Sequence, residues 1–92
     1  MVERRSKMSI MLDMLRTVES RGGSAKSTHI LYGANLSHDR LKKHLAVLEA
    51  EGMLVKAVRK SGTVYQITKK GLEFLSGYNK MKSFFDAFGF SV

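Results

Sequence analysis

Two short helical runs meet at Gly33-Ala34-Asn35-Leu36-Ser37, and this junction restricts the chain more than any other stretch. Before it, about Ala25 to Tyr32 reads as a short helix with Ile30 and Leu31 as its inward contacts. After it, Leu41, Leu45 and Leu48 fall at the spacing of a single helical face. Gly33 permits a sharp change of direction, and Leu36 is placed to plug the angle between the two helices. Ser37 is a good N-cap, because its hydroxyl can accept a hydrogen bond from an orphan N–H in the first turn. Asp39 then sits near the positive end of the helix dipole.

Gly52 stops the second helix. Met53 to Arg59 alternates weakly, and Thr63 to Ile67 alternates with Val64 and Tyr65 at its centre. Lys60-Ser61-Gly62 joins these runs, and a three-residue loop ending in glycine suits a bulged hairpin. Thr68 caps a last helix with Lys69 and Lys70 in its first turn. Upstream, Ser6 to Ser20 has a helical period, with Met8, Met11, Leu12, Leu15 and Val18 on one face. Ile10 and Met14 form a second stripe, more than one core needs. Arg21-Gly22-Gly23-Ser24 ends that helix, since glycine takes the left-handed cap conformation without a Cβ clash. The order predicts a mainly α chain with a small β-hairpin: a winged helix-turn-helix with an extended C-terminal helix. It is expected as one domain over 1–92, with the helix-turn-helix and wing in 6–67 and a dimerisation helix in 68–90. Leu15, Leu31, Leu36, Leu41, Leu45, Leu48 and Leu72 are expected to be buried together, with Leu72 and Leu75 closing the domain.

A chain of 92 residues is small. It buries only about 60–65% of the surface it exposes when unfolded, so its stability is marginal unless something adds burial. The absence of cysteine removes disulfides and Cys-type zinc sites as that support, which leaves self-association. Sixteen Lys and Arg stand against eight Asp and Glu, a net charge of +8 that favours polyanionic partners. The opening Met-Val-Glu-Arg-Arg-Ser is not a signal peptide, because Asp13 and Arg16 interrupt the apolar residues that follow. No run approaches the ~20 apolar residues of a membrane span. A cytoplasmic, nucleoid-associated protein is expected.

If Leu41, Leu45 and Leu48 point inward, then Asp39, Lys43 and Ala46 point away, flanked by Arg40 and Lys42. In a helix-turn-helix, that outward face and the first turn lie in the major groove. Ser37, His38 and Asp39 at the tip are candidates to touch base edges or phosphate. Arg40, Lys42 and Lys43 can pair phosphates or reach guanine O6 and N7. Arg59 and Lys60 at the hairpin tip are candidates for contact with the backbone or the minor groove, phosphate contact being favoured for so short a wing, although such charges also keep an exposed strand edge from pairing with other chains. His29, His38 and His44 carry no i, i+4 pair and no cysteine, so no metal site is expected. Ser37, His38 and Asp39 contain triad letters, but neighbours on one helix cannot align as nucleophile, base and orienter. No phosphate-binding glycine loop, cofactor site or small-molecule site is evident, so the chain reads as a binder and not an enzyme.

Along the last helix, Phe74, Tyr78, Met81, Phe85 and Phe88 recur at heptad spacing. Either this stripe folds back onto the Ile10 and Met14 face, or it forms a homodimer seam. An aromatic stripe of this size is unusual on a monomer, which favours the seam. Two other classes are weaker. A protein–protein interaction module without DNA contact calls for a neutral second helix, against Arg40, Lys42 and Lys43. A membrane-surface role for the Phe-rich tail has only Lys80 and Lys82 to supply charge there.

Ser27 to Ser37, then Leu41-Lys42-Lys43-His44-Leu45, then Tyr65 to Leu75 carry a resemblance. Over about Met8 to Phe85 the chain resembles the archaeal winged helix-turn-helix family that includes the chromatin-associated "10a" DNA-binding proteins of Sulfolobus. The resemblance implies a winged-helix fold, double-stranded DNA as the partner, and homodimerisation through the C-terminal helix. It also implies a recognition helix over Ser37 to Glu51 and a wing tip over Arg59 to Gly62.

Overall fold

A computed structural model describes residues 6–90, so the outermost residues of the expected 1–92 domain lie outside the described part. The elements run α1 (Lys7–Ser20), β1 (Ser24–Ala25), α2 (Ser27–Gly33), α3 (His38–Ala50), β2 (Leu54–Arg59), β3 (Gly62–Ile67) and α4 (Lys69–Ala87). Three antiparallel strands in the order β1-β3-β2 form one sheet. This is the winged-helix architecture that the order of helical and alternating segments predicts, with one strand more than expected.

Helix α1 is the centre of the core. Ser6 caps it by accepting from the Ser9 N–H at 3.0 Å. Its buried residues are Ile10, Leu12, Met14, Leu15 and Val18, so the stripe that looks surplus in the sequence is inside. Met8, expected inward, is exposed, and Met11 is half-buried. The reason is the number of neighbours: α2, α3, α4, β1 and β3 all touch α1, so it buries more than one face.

Strand β1 occupies part of the segment expected to begin α2. Ser24 pairs with Gln66 and Ala25 with Tyr65. Two residues are too few to show a period, and their partner lies far along the chain. The α1–β1 loop is held by Gly22 and Gly23, both at positive φ. The Gly23 N–H donates to the Val18 carbonyl, and the Gly23 carbonyl accepts from Ile67 N–H, each at 3.0 Å.

The turn between α2 and α3 is built differently from the expectation. Gly33 belongs to α2, and the positive φ, +54°, falls on Asn35. Asparagine is among the few non-glycine residues that visit this region routinely. Gly33 serves packing instead: a Cβ there would lie 2.5 Å from Thr17 Cγ2, so glycine lets α2 approach α1 closely. Leu36 N–H closes the turn on the Leu31 carbonyl at 2.9 Å, and the Leu36 side chain is buried between the helices.

Leu36, Leu41, Leu45 and Leu48 join Leu15 in the core as expected, while Leu31 is only partly buried. Leu72 is 42% exposed, against expectation, whereas Leu75 is fully inside. The inward row of α4 runs through Gly71, Phe74, Leu75 and Tyr78, which turns Leu72 away. Thr68 caps α4 by accepting from the Gly71 N–H at 3.1 Å, and its own hydroxyl donates to the Gly52 carbonyl at 2.6 Å. The hairpin loop is Lys60-Ser61, one residue shorter than expected. Gly62 already pairs with Arg59 and carries the positive φ of +116°.

Candidate nucleic-acid interface

Helix α3 begins where Ser37 accepts a hydrogen bond from the Arg40 N–H at 3.3 Å. Burying Leu41, Leu45 and Leu48 sets the orientation of the whole helix. Ser37, His38, Asp39, Arg40, Lys42 and Lys43 are all exposed. Arg59 and Lys60 are exposed at the tip of the β2–β3 hairpin, and α3 packs against β2 at its root. The surface thus holds one cationic helix face and one cationic hairpin tip, joined through β2.

The partners of these charges matter more than their number. Among the described residues, ion pairs join Arg16 to Asp13, Lys69 to Glu73 and Lys70 to Glu51. Arg40, Lys42, Lys43, Arg59 and Lys60 take part in none of them. Cations without carboxylate partners repel one another and gain from any polyanion that comes between them.

His44 is on the opposite side of α3, buried at 5% exposure among the leucines. The sequence places it at the flank of the helix beside the core, and it lies deeper than that. Burial, and then the positive charges of Lys43, Arg40 and Lys7, hold its imidazole below the usual histidine pKa. Both effects favour the neutral ring. Among the described residues, no group of three or more His, Asp or Glu side chains is placed to hold a metal ion.

The C-terminal stripe divides in two. Phe74 and Tyr78 are half-buried against the core, with Arg16 stacked 5.6 Å from the Tyr78 ring centroid. Met8, Phe74, Gly77, Tyr78 and Met81 line an open apolar groove of about 410 Å³. This half of the stripe folds back on the core cluster that contains Ile10 and Met14, and Met8 joins it in the groove. Beyond it, Met81 and Phe88 are exposed, Phe88 at 67%, and Phe85 is half-buried by its neighbours on α4. Phe84 stacks edge-on with Phe85 at 5.6 Å and tilted against Phe88 at 5.0 Å.

Three features of the surface have no counterpart among the sequence expectations. Phe84 lies off the heptad rows yet joins the aromatic cluster. Val58 is 84% exposed on the flank of the hairpin tip, although its β-branched side chain suggests a covered strand. Arg21 and His29, eight residues apart on different elements, meet at 3.4 Å. Only the first has a signal in the sequence, the run of aromatics after Gly77. No helix among the described residues is long and apolar enough to cross a membrane.

The winged helix-turn-helix family profile matches residues 4–85. Among solved structures, the chain is similar to Sso10a-2, a DNA-binding protein from Sulfolobus solfataricus, with 26% identity and a TM-score of 0.76 over 91% of this chain and 85% of that one. It is similar to F93 from STIV, a winged-helix DNA-binding protein, at 13% identity and a TM-score of 0.72, covering 85% of this chain and 90% of that one. A putative transcriptional regulator from Pseudomonas aeruginosa gives 18% identity and a TM-score of 0.72, over 85% of this chain and 55% of that one. The last two likenesses concern the fold alone. No match was found among curated protein sequences.

Proposed function

The chain belongs to the winged helix-turn-helix family, and from that premise we propose that it binds double-stranded DNA, as a transcription regulator or a chromatin-associated protein. Helix α3 lies in the major groove and the β2–β3 hairpin rests on the backbone beside it. The carrying observation is the exposed face of Arg40, Lys42 and Lys43, which the fold turns outward and leaves without carboxylate partners among the described residues. Lys42 and Lys43 hold phosphates, and Arg40 reaches a phosphate or guanine O6 and N7. Ser37 and His38 touch base edges at the helix tip, where Asp39 accepts from a cytosine amino group. Arg59 and Lys60 pair phosphates, which position the protein and carry no sequence information. The likeness to Sso10a-2, itself a DNA-binding protein, supports this reading. It is a binding function without catalysis, exercised at the nucleoid.

The assembly that fits best is a homodimer through α4. Met81, Phe84, Phe85 and Phe88 leave an apolar patch beyond the end of the core, next to the groove lined by Phe74 and Tyr78. Covering it would give this small chain the burial it lacks and present two α3 helices to one duplex.

The test of DNA binding is a titration across salt. Changing Lys42 and Lys43 to Gln should weaken duplex binding and flatten the plot of log affinity against log salt by about 0.9 for each phosphate no longer neutralised. An unchanged affinity and slope would remove α3 from the interface. Discrimination of about 1–3 kcal/mol per altered base pair would mark a sequence-reading regulator, and its absence a chromatin protein.

A further inference from the structure

Beside the sheet edge farthest from β2, a hollow of about 400 Å³ is lined by Ser20, Arg21, Ser24, Lys26, His29 and Val64. Among the described residues, no carboxylate lines it. The hollow against α4, in contrast, holds Glu19 with Lys80, and the apolar groove holds Glu73. We infer that Arg21, Lys26 and His29 form a second phosphate-binding site for the duplex, on the α1–α2 side of the protein. This rests on the DNA-binding reading above and extends it to residues outside α3 and the wing.

The backbone that carries each side chain is held in place. Arg21 is the C-cap of α1, where its N–H donates to the Val18 carbonyl at 3.2 Å and the next N–H, of Gly22, donates to the Glu19 carbonyl at 3.1 Å. The loop after it is pinned on both sides, by Gly23 N–H on Val18 and by Ile67 N–H on Gly23. Lys26 directly follows Ala25, which is buried and paired with Tyr65, so its backbone is fixed by the sheet. His29 sits in α2 with its N–H on the Lys26 carbonyl at 3.0 Å.

The chemistry points to an anion. The Arg21 Nη2 lies 3.4 Å from His29 Nε2. A guanidinium has only donors, so in the His29 tautomer protonated on Nδ1 the Nε2 accepts from Arg21 and aims it without neutralising it. The rest of the planar fork is free for a partner with two oxygens, the geometry of a phosphodiester. Lys26 adds a second, exposed positive charge to the same hollow, for the adjacent phosphate of the strand. The first helix of a helix-turn-helix crosses the DNA backbone while the second enters the groove, so α2 is the element that meets phosphate on this side. Val64, two residues from the wing's paired Gly62, also lines the hollow and places it beside the hairpin.

Binding of a random-sequence duplex is measured across salt for the wild type, an Arg21→Gln/Lys26→Gln variant, and a Lys80→Gln/Lys82→Gln variant that loses equal charge from α4. If the site exists, the first variant flattens the salt slope by about 1.8, for two phosphates at about 0.9 each, and the α4 variant leaves it near wild type. The loss should be the same on every duplex sequence, and the unfolding midpoint should not move. An unchanged slope in a wild type that binds DNA overturns this site alone, as does an equal loss in the α4 variant. A wild type that binds no duplex at low salt overturns the DNA reading and this site with it. Should Arg21→Gln lower stability, Lys26→Gln alone decides: a slope flattened by about 0.9 supports the site, and an unchanged one overturns it.

Discussion

Two glycines on α4 differ chiefly in what a methyl group would meet, so Gly71→Ala and Gly77→Ala together report the tightness of the α4–sheet contact. At Gly77 a Cβ would have nothing within 4 Å. Alanine there removes the entropy penalty of a helical glycine, a gain of about 1 kcal/mol. For a chain of this size that raises the melting temperature by about 4–8 °C. At Gly71 a Cβ would lie 2.6 Å from the Met53 carbonyl oxygen and 2.7 Å from Ile67 Cγ1. The carbonyl cannot swing away cheaply, because it accepts the Thr68 N–H at 3.0 Å and so anchors the start of α4. Overpacking of this kind costs about 1–3 kcal/mol. The propensity gain is smaller than at Gly77, since Gly71 lies in the first turn. The balance is a net loss of about 1–2 kcal/mol for Gly71→Ala. Urea unfolding at low protein concentration, followed by circular dichroism, reads both variants on one scale. A Gly71→Ala protein at least as stable as the wild type would mean that α4 is free to lift from Met53 and Ile67, and the close-approach argument would fail.

The buried histidine predicts a pH dependence. Because the folded pKa of His44 is lowered, its contribution to stability is full above the unfolded value of about 6.5 and is lost as pH falls from there to the folded value. His44→Gln should therefore lose less stability than the wild type between about pH 7.5 and 5, read as urea midpoints; equal losses would sink the idea. Phe85→Glu places a charge in the proposed α4 seam, which dissociation avoids. Light scattering should report a dimeric wild type and a monomeric, still helical variant, and a wild-type monomer would end the proposal.

The elements with a strong local signal are legible along the chain. Leu41, Leu45 and Leu48 with the Ser37 cap define α3, and their complement defines which of its residues are exposed. The same logic places Thr68 at the start of α4. What escapes is set by neighbours distant in sequence. Ile10 and Met14 look surplus because the number of elements packed on α1 is a tertiary fact. Ser24 and Ala25 are strand only because Gln66 and Tyr65 lie beside them. Conformational freedom points to Gly33 as the turn residue, when the closeness of Thr17 is the actual demand. Leucine usually lies inside, which suggests a buried Leu72, while the row through Gly71 and Leu75 decides otherwise. On the candidate interface, the charged faces of α3 and the hairpin are readable, and the Arg21–His29 contact across two elements is not.

Ser24 and Ala25 hold β3 along the edge opposite β2, so the hairpin resembles a beam built in at its root on both sides. The hairpin from Ala57 to Val64 projects beyond that support and is held by its own β2–β3 pairing. A load on the wing's root passes through β3 and β1 to the end of α1 and the start of α2. The entropy of ordering the wing's root has already been lost in folding and is not charged again on association. The angle between wing and α3 therefore belongs to the free protein, and a duplex engaging both must either match it or bend toward it, which gives stiff and pliant sequences different affinities without any base being touched.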